Sequence, residues 1–239
     1  MALGGSLGGR EATGRGVNVI GREMARRLGL HLHGARVAVQ GVGNVGAVAA
    51  RTFAENGAHV VALQDCGASI FNPQGIDLAA AQAHKAATGS LAACPGSEAI
   101  DHEAFWRVES AVLIPAALEG AIDAARAAQL RTRLVLAGAN GPTTPAADAV
   151  RAERGIALVP DVIANAGGVI VSCFEWVQAF NSFLRTEEEV TRRMDSILTG
   201  AFDPIWRTAA ELGVGLRTAA FVFACRRVLS AREQRGLYP

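Results

Sequence analysis

Three glycines early in the sequence have the spacing of a phosphate-binding turn. Residues 41–46 read Gly-Val-Gly-Asn-Val-Gly, after a short apolar run and before a stretch rich in small residues. Between a strand and a helix, the first glycine permits a tight bend, the second admits a diphosphate to the backbone, and the third allows close packing. The helix N-terminus would add free N–H groups and partial positive charge. Alone the pattern is weak evidence, since glycine turns that merely join a strand to a helix are common.

An acidic residue strengthens the case for a dinucleotide. Asp65 ends the next predicted strand, 19 residues after Gly46. A carboxylate there can accept hydrogen bonds from both hydroxyls of an adenine ribose, and it would repel a 2′-phosphate. No arginine or lysine occurs within residues 64–69. The sequence therefore favours NAD over NADP, the alternative being a solvated aspartate at a strand end.

The elements around this turn predict a doubly wound α/β fold. Apolar residues at helical spacing indicate a leading helix at 11–28. Short apolar runs predict strands at 36–40, 59–63, 111–114, 134–136 and 156–159, alternating with helices at 44–56, 77–87, 118–128 and 144–153. Such alternation predicts a mostly parallel, Rossmann-like sheet with helices on both faces. From 167 onwards the chain reads as helices, one of them opened by a capping box at Thr186 and Glu189.

We therefore predict a single domain over 1–239, with a leading helix at 11–28, a Rossmann core at 34–165 and a helical extension at 167–239. The 23 basic and 22 acidic residues leave a net charge of +1, which gives no reason to expect nucleic acid or an anionic membrane as a partner. No signal-like start and no apolar run of ~20 residues is present, so we expect a cytoplasmic protein. The four cysteines are scattered, which predicts free, mostly buried thiols and no metal site.

Longer blocks of sequence resemble a known family. They are residues 7–17, 40–46, 113–119, 137–145 and 160–178, and together they resemble the cofactor domain of the glutamate/leucine/phenylalanine/valine dehydrogenases. Residues 216–220 and 231–239 resemble the glutamate members in particular. One position departs from the family pattern, because Ala137 stands where an acidic residue is usual.

The resemblance assigns roles to single residues. It implies that Thr13 and Asn44 lie near the nicotinamide ribose, that Asn140 and Asn165 line the cleft, and that Ser172 helps to hold a substrate carboxylate. Thr13 could instead simply begin a helix, and Asn140 could stabilise a turn. The expected cofactor contacts are Thr13, Gly41, Gly43, Asn44, Val45, Gly46, Asp65, Asn140 and Asn165. The expected substrate contacts are Ser172 and Val169, whereas Trp176 is expected in the helix core.

The family's reaction, oxidative deamination of glutamate to 2-oxoglutarate and ammonia, takes its catalytic lysine and aspartate from a preceding domain. Lys85 is the only lysine here, and its position predicts a solvated helix residue. We expect NAD to bind, glutamate to bind only with the missing domain, and these residues alone to be inactive. A homo-oligomer is possible, with a hexamer expected only for the full-length enzyme. The alternative is a naturally truncated, non-catalytic NAD-binding regulatory subunit. A hydroxy-acid dehydrogenase ranks last, since no histidine follows Pro160.

Overall fold

The computed structural model describes residues 7–181 and 185–236. Its centre is a seven-stranded sheet in the order β4-β3-β2-β1-β5-β6-β7. The strands are β1 (Arg36–Gln40), β2 (His59–Gln64), β3 (Ser69–Phe71), β4 (Glu98–Ile100), β5 (Val112–Pro115), β6 (Leu134–Leu136) and β7 (Ala157–Val159). The four pairings among β1, β2, β5, β6 and β7 are parallel, and β3 and β4 add two antiparallel pairings at one edge. The prediction of a doubly wound, mostly parallel α/β sheet is confirmed.

Helices cover both faces of the sheet. The helices that precede β7 in the chain are α1 (Ala12–Arg27), α2 (Asn44–Glu55), α3 (Leu78–Thr88), α4 (His102–Phe105), α5 (Ala124–Gln129) and α6 (Pro145–Glu153). The remaining described helices are α7 (Asp161–Ala164), α8 (Gly167–Asn181), α9 (Glu187–Leu212) and α10 (Leu216–Arg235). The predicted capping box is present, with Thr186 and Glu189 bonding each other's backbone N–H at the start of α9.

Side chains of the central strand β1 point alternately to the two faces of the sheet, and a hydrophobic core lies on each face. Val37 and Val39 of β1 point into the core under α1, α2 and α9, whereas Ala38 points into the core on the other face with Phe105 and Leu113. Both faces of the sheet are thus buried, as a parallel sheet requires. Since both faces are covered, the ends of the parallel strands are the parts of the sheet left open for a site.

Two predictions about local structure were wrong. The helix expected at 118–128 begins only at Ala124, because Gly120 adopts a left-handed backbone (φ +64°) and Ile122 instead pairs with Thr143 as a single bridge. Trp176, expected in the core, is 69% exposed on α8.

The cysteines are free as predicted, but three of them, Cys66, Cys173 and Cys225, are exposed and only Cys94 is buried. In the part of the chain that the structure describes, no single helix is long and apolar enough to cross a membrane. The bent pair α9 and α10 reaches that length and composition only when the two are taken together.

Candidate functional site

The carboxyl ends of β1 and β5 form a crevice at the point where the sheet reverses its winding. β1 pairs with β2 on one side and with β5 on the other, so the two connections leave the sheet in opposite directions. Open α/β sheets bind ligands at such switch points. Two cavities, of about 510 Å³ and 610 Å³, lie here and share the wall formed by residues 116–118 after β5.

Each glycine of the turn between β1 and α2 has a separate structural reason. Gly41 has φ +90°, and a Cβ there would lie 2.7 Å from the carbonyl oxygen of Ala116. A Cβ on Gly46 would lie 1.7 Å from the carbonyl oxygen of Gly41, so the helix could not pack there. Gly43 differs, because nothing lies within 4 Å of its added Cβ. The side of Gly43 is therefore open to the cavity, which is the space that a bound diphosphate would need.

The N-terminus of α2 faces the same space. Its N-cap is Gly43, which carries no side chain to accept from the first N–H groups, and no acidic residue stands in the first turn. Gly43 and Asn44 are exposed and Val45 is half-buried. Uncapped N–H groups with partial positive charge form a ready anion-binding site. The residues present thus fit the diphosphate of a dinucleotide.

Asp65 lies at the end of β2, in the 510 Å³ cavity, but its carboxylate is occupied. Oδ1 accepts from the backbone N–H groups of Gly67 (2.9 Å) and Ala68 (2.8 Å). Oδ2 accepts from Leu91 N–H (3.2 Å) and lies 3.1 Å from Nζ of Lys85. Burial by itself would raise the pKa of Asp65, but these hydrogen bonds and Lys85 outweigh it, and the pKa is lowered. The carboxylate is therefore charged and holds its own loop together.

Lys85 corrects the sequence analysis. The sequence predicts a solvated helix residue, but the Lys85 side chain is only 28% exposed and pairs with Asp65. α3 carries it back to the strand end although it lies 20 residues away in sequence. The absence of a cation within residues 64–69 therefore does not mean that none stands beside Asp65. Nothing in the local sequence pattern signals this pair.

The same cavity has lining residues that the sequence analysis missed. His102 and Trp106, in and just after α4, and Arg126 on α5 lie in its wall. Arg126 is held in an ion pair with Glu103 and donates to the Ala121 carbonyl, and it stacks 5.1 Å from the Trp106 ring. His102 and Trp106 belong to the segment between β4 and β5, whose place beside the turn depends on the antiparallel strands that the sequence did not predict.

The second cavity brings together three of the four residues expected near the nicotinamide and its ribose. Thr13, Asn140 and Asn165 line it together with Val45, although they come from four separate parts of the chain. Asn44, the fourth, is exposed and lies outside this lining. Nδ2 of Asn165 donates to Oδ1 of Asn140 at 2.7 Å, so the two amides hold each other in place. Ala137, where the family usually has an acidic residue, is fully buried behind this wall.

Close helix packing explains why Thr13 reaches the cleft. A Cβ on Gly14 would lie 2.6 Å from Cβ of Val48 on α2, and one on Gly167 would lie 2.2 Å from the carbonyl oxygen of Ala12. The glycines therefore let α1 approach α2 and the start of α8 at backbone distance. A Cβ on Gly168 would likewise lie 2.4 Å from Oγ1 of Thr13, so this glycine leaves room for the hydroxyl. The small residues of blocks 7–17 and 160–178 thus position the cleft wall.

The two expected substrate contacts are on α8. Val169 lines the 610 Å³ cavity and is 69% exposed, whereas Ser172 is exposed but outside the lining. Residues three apart share one helix face, so Ser172 continues the face that begins at Val169. The structure therefore places Val169 in the cleft and Ser172 one turn beyond it.

An ion-pair network supports the cleft from behind. Asp161 on α7 accepts from Gly141 N–H with Oδ2 (3.0 Å), next to Asn140, and from Nη1 of Arg217 with Oδ1 (2.9 Å). Arg217 also donates from Nε to Asp148 (3.1 Å) and from Nη2 to Thr143 (2.9 Å). One side chain of α10 thus fixes α6, α7 and the loop that carries Asn140. Sequence reasoning assigned no function to it.

Comparison with known proteins agrees with this geometry. The sequence model of the Glutamate/Leucine/Phenylalanine/Valine dehydrogenase family matches residues 4–236. The chain belongs to this family. Within the described residues no group of three or more His, Cys, Asp or Glu side chains could hold a metal ion.

Curated relatives in this family differ in the cofactor that their names state. The chain is 45% identical to the NADP-specific glutamate dehydrogenase A1 of Halobacterium salinarum, over 99% of this chain and 57% of the relative. It is 42% identical to the NAD-specific glutamate dehydrogenase of Clostridioides difficile, over 100% of this chain and 58% of the relative. The chain thus spans a little more than half the length of the relatives that it matches.

A solved dehydrogenase shows the same fold. The structure of the hetero-hexameric glutamate dehydrogenase from Thermus thermophilus, in its Leu-bound form, superposes with a TM-score of 0.93 at 37% identity. The match covers 100% of this chain and 56% of that one.

Proposed function

We propose that this chain is the nicotinamide-dinucleotide-binding part of a glutamate dehydrogenase. The observation that carries the proposal is the open glycine turn. Gly43 leaves unfilled space in front of an uncapped helix N-terminus, at the switch point of the sheet, between two cavities that together suit an extended ligand. In the proposal the diphosphate lies at Gly43 and Asn44, the adenosine in the 510 Å³ cavity, and the nicotinamide in the 610 Å³ cavity.

Each residue then has a binding role. Gly41 and Gly46 give the turn its shape, and the N–H groups of the first turn of α2, including that of Val45, face the phosphates. Thr13, Asn140 and Asn165 would orient the nicotinamide and its ribose, since they line that cavity. Bound there, the nicotinamide supplies hydride-transfer chemistry, while the chain's own residues bind and orient.

The cofactor proposed is NAD, with a weaker preference than the sequence alone suggests. Asp65 is charged at the end of β2, which disfavours an additional phosphate, but Lys85 offsets that charge at 3.1 Å. We therefore expect NADH to bind more tightly than NADPH by about tenfold or less. Lys85→Ala should widen this ratio, because the carboxylate then acts unopposed. Equal affinities for NADH and NADPH in that variant would remove Asp65 from the proposal.

The whole enzyme is proposed to deaminate glutamate oxidatively. Val169 and Ser172 on α8 would form one side of the substrate pocket, with the hydroxyl suited to a polar side chain. The described lining of the nicotinamide cavity has one ionisable side chain, Glu119, and no lysine. These residues alone should therefore bind cofactor without measurable deamination, because no amine is placed to activate water. Sustained glutamate-dependent NADH production by the 239-residue chain would contradict this.

A matched pair of variants tests the cofactor site itself. Gly43 and Gly215 are both N-cap residues with extended ψ, no side-chain cap and nothing within 4 Å of an added Cβ. Gly43→Ala and Gly215→Ala should therefore cost similar stability, below about 1 kcal/mol. Only Gly43→Ala places its methyl group in the proposed diphosphate space.

NADH binding is measured by calorimetry and by fluorescence energy transfer from tryptophan. We expect Gly43→Ala to weaken it by more than about tenfold and Gly215→Ala to leave it unchanged. Saturable binding that is equal in both variants would place the cofactor elsewhere, and no binding by the parent chain at millimolar NADH would overturn the proposal.

Assembly and location complete the proposal. The Thermus thermophilus protein is described as a hetero-hexamer, and we propose that the full-length form of this chain also assembles as a hexamer in the cytoplasm. These residues alone should not form one. Light scattering of the purified chain at several concentrations measures this directly.

A further inference from the structure

A further large cavity, separate from the two in the cofactor crevice, lies at the opposite edge of the sheet. It measures about 770 Å³ and is bounded by the amino ends of the parallel strands, including Arg36 at the start of β1, Ala111 before β5 and Ile156 before β7. Because parallel strands begin at one edge and end at the other, this cavity is separated from the glycine turn by the length of the sheet. The proposed function does not use it.

The lining of this cavity is strongly basic. Four arginines, Arg36, Arg131, Arg133 and Arg154, face one acid, Glu109, which leaves a formal charge of +3. The entire chain carries only +1. One of the four arginines would offset Glu109, so three positive charges in this lining are not balanced by an acid of the same lining.

Ion pairs with carboxylates neutralise some arginines of the described chain, but not the four in this cavity. Arg126 and Arg217 are held by carboxylates. Within residues 7–181 and 185–236, none of the four cavity arginines lies within ion-pair distance of an acid. Arg154 donates to the carbonyl oxygens of Ala127 (2.6 Å) and Leu130 (2.8 Å), which fixes its guanidinium without neutralising it.

Two buried polar atoms in the same lining are also unsatisfied. Ser110 is only 7% exposed, and its Oγ has no hydrogen-bond partner. Nε of Arg36 is buried and likewise has none. Buried polar groups in native proteins nearly always have a partner in protein, water or a bound ion. Neither atom is accessible from the cavity, so a bound ligand would contact the exposed guanidinium groups of Arg131 and Arg133 rather than these two atoms.

We infer that this cavity binds a small, multiply charged anion that carries phosphate groups. Guanidinium groups present paired N–H donors that suit phosphate oxygens, and a charge of +3 matches a di- or trianion. The cavity is larger than a phosphate ion needs, and Leu130, Ala111 and Ile156 give it apolar wall for an organic body. The ligand class is thus a phosphorylated small molecule, bound away from the cofactor.

Pyrophosphate is the probe for the test, titrated by calorimetry at constant ionic strength. The parent for all titrations is Gly43→Ala, so that the glycine turn contributes little. Arg131→Ala with Arg133→Ala removes two exposed arginines of the cavity. Arg192→Ala with Arg193→Ala, two exposed arginines on α9, removes the same charge elsewhere. Circular dichroism checks that each variant is folded.

The cavity variant should bind pyrophosphate at least about tenfold more weakly than its parent, because each lost charge-assisted hydrogen bond carries about a factor of ten. The α9 variant should match the parent. An equal loss in both pairs, or no binding by the parent below about 10 mM, would overturn the inference.

Discussion

Arg217 offers the sharpest test of how the cleft is supported. Replacing it by alanine removes two ion pairs, with Asp148 and Asp161, and one hydrogen bond, with Thr143. The three charged side chains are 30%, 21% and 20% exposed, so solvent screens the interactions only in part. Hydrogen bonds to charged groups contribute about 1.5–3 kcal/mol each before screening. After that discount we expect a loss of about 2–3 kcal/mol in the free energy of unfolding.

The remaining partners limit the damage to this range. Asp148 keeps Arg151 at 3.1 Å, and Asp161 keeps the N–H of Gly141 at 3.0 Å, so neither carboxylate is left buried and alone. Arg217→Lys replaces the planar guanidinium by a single ammonium group. We expect it to restore less than half of the unfolding free energy that Arg217→Ala loses. A loss of 2–3 kcal/mol corresponds to a fall in Tm of about 4–12 °C for a chain of this size.

Urea denaturation followed by circular dichroism measures the change. Arg226→Ala is the matched control, because Arg226 is exposed on the same helix and has the same side chain. A cycle that combines Arg217→Ala with Asp161→Asn should show a coupling of about 1 kcal/mol or more. If Arg217→Ala and Arg226→Ala unfold at the same urea concentration, α10 is held by apolar contacts alone and the reasoning fails.

Three further changes have defined outcomes. Gly46→Ala forces a Cβ to within 1.7 Å of the Gly41 carbonyl oxygen and should destabilise the fold by about 1–3 kcal/mol, measured by urea denaturation against Gly43→Ala, which has no such clash. The pKa of Asp65 lies below its ordinary value of 3.8, so the stability that its ionised form provides is present above that pH and is lost as the pH falls below it. Asp65→Asn should flatten this part of the curve of unfolding free energy against pH. An unchanged curve would contradict the role of the Asp65 carboxylate in holding its loop. Thr186→Ala removes the capping box of α9 and should cost about 1 kcal/mol, visible as a lower Tm, whereas Thr191→Ala inside the same helix should cost less.

The β1–α2–β2 unit could be predicted from sequence because its signals are local. The strand at 36–40 coincides with β1, and the predicted helix at 44–56 differs from α2 by one residue. The family resemblance also named residues that the fold brings together, since Thr13, Asn140 and Asn165 line one cavity. Glycine spacing and apolar period report on neighbours in the chain, and these features depend on such neighbours.

Features that depend on distant partners could not be predicted in this way. β3 and β4 have three residues each and are strands only because they pair with β2 and with each other. Lys85 meets Asp65 only after α3 folds back, and Arg217 meets acids 56 and 69 positions away. In each case the sequence shows an ordinary charged or apolar residue, and tertiary packing decides what it does.

The wall of residues 116–118 belongs to both halves of the crevice at once. A ligand that spans the two halves would have to cross this segment, so a substitution there would alter recognition of its adenine end and its reactive end together. Attempts to redesign cofactor choice would do better to work from the outer rim, at Asp65 and Lys85, where a change reaches one end and leaves the geometry of the other intact.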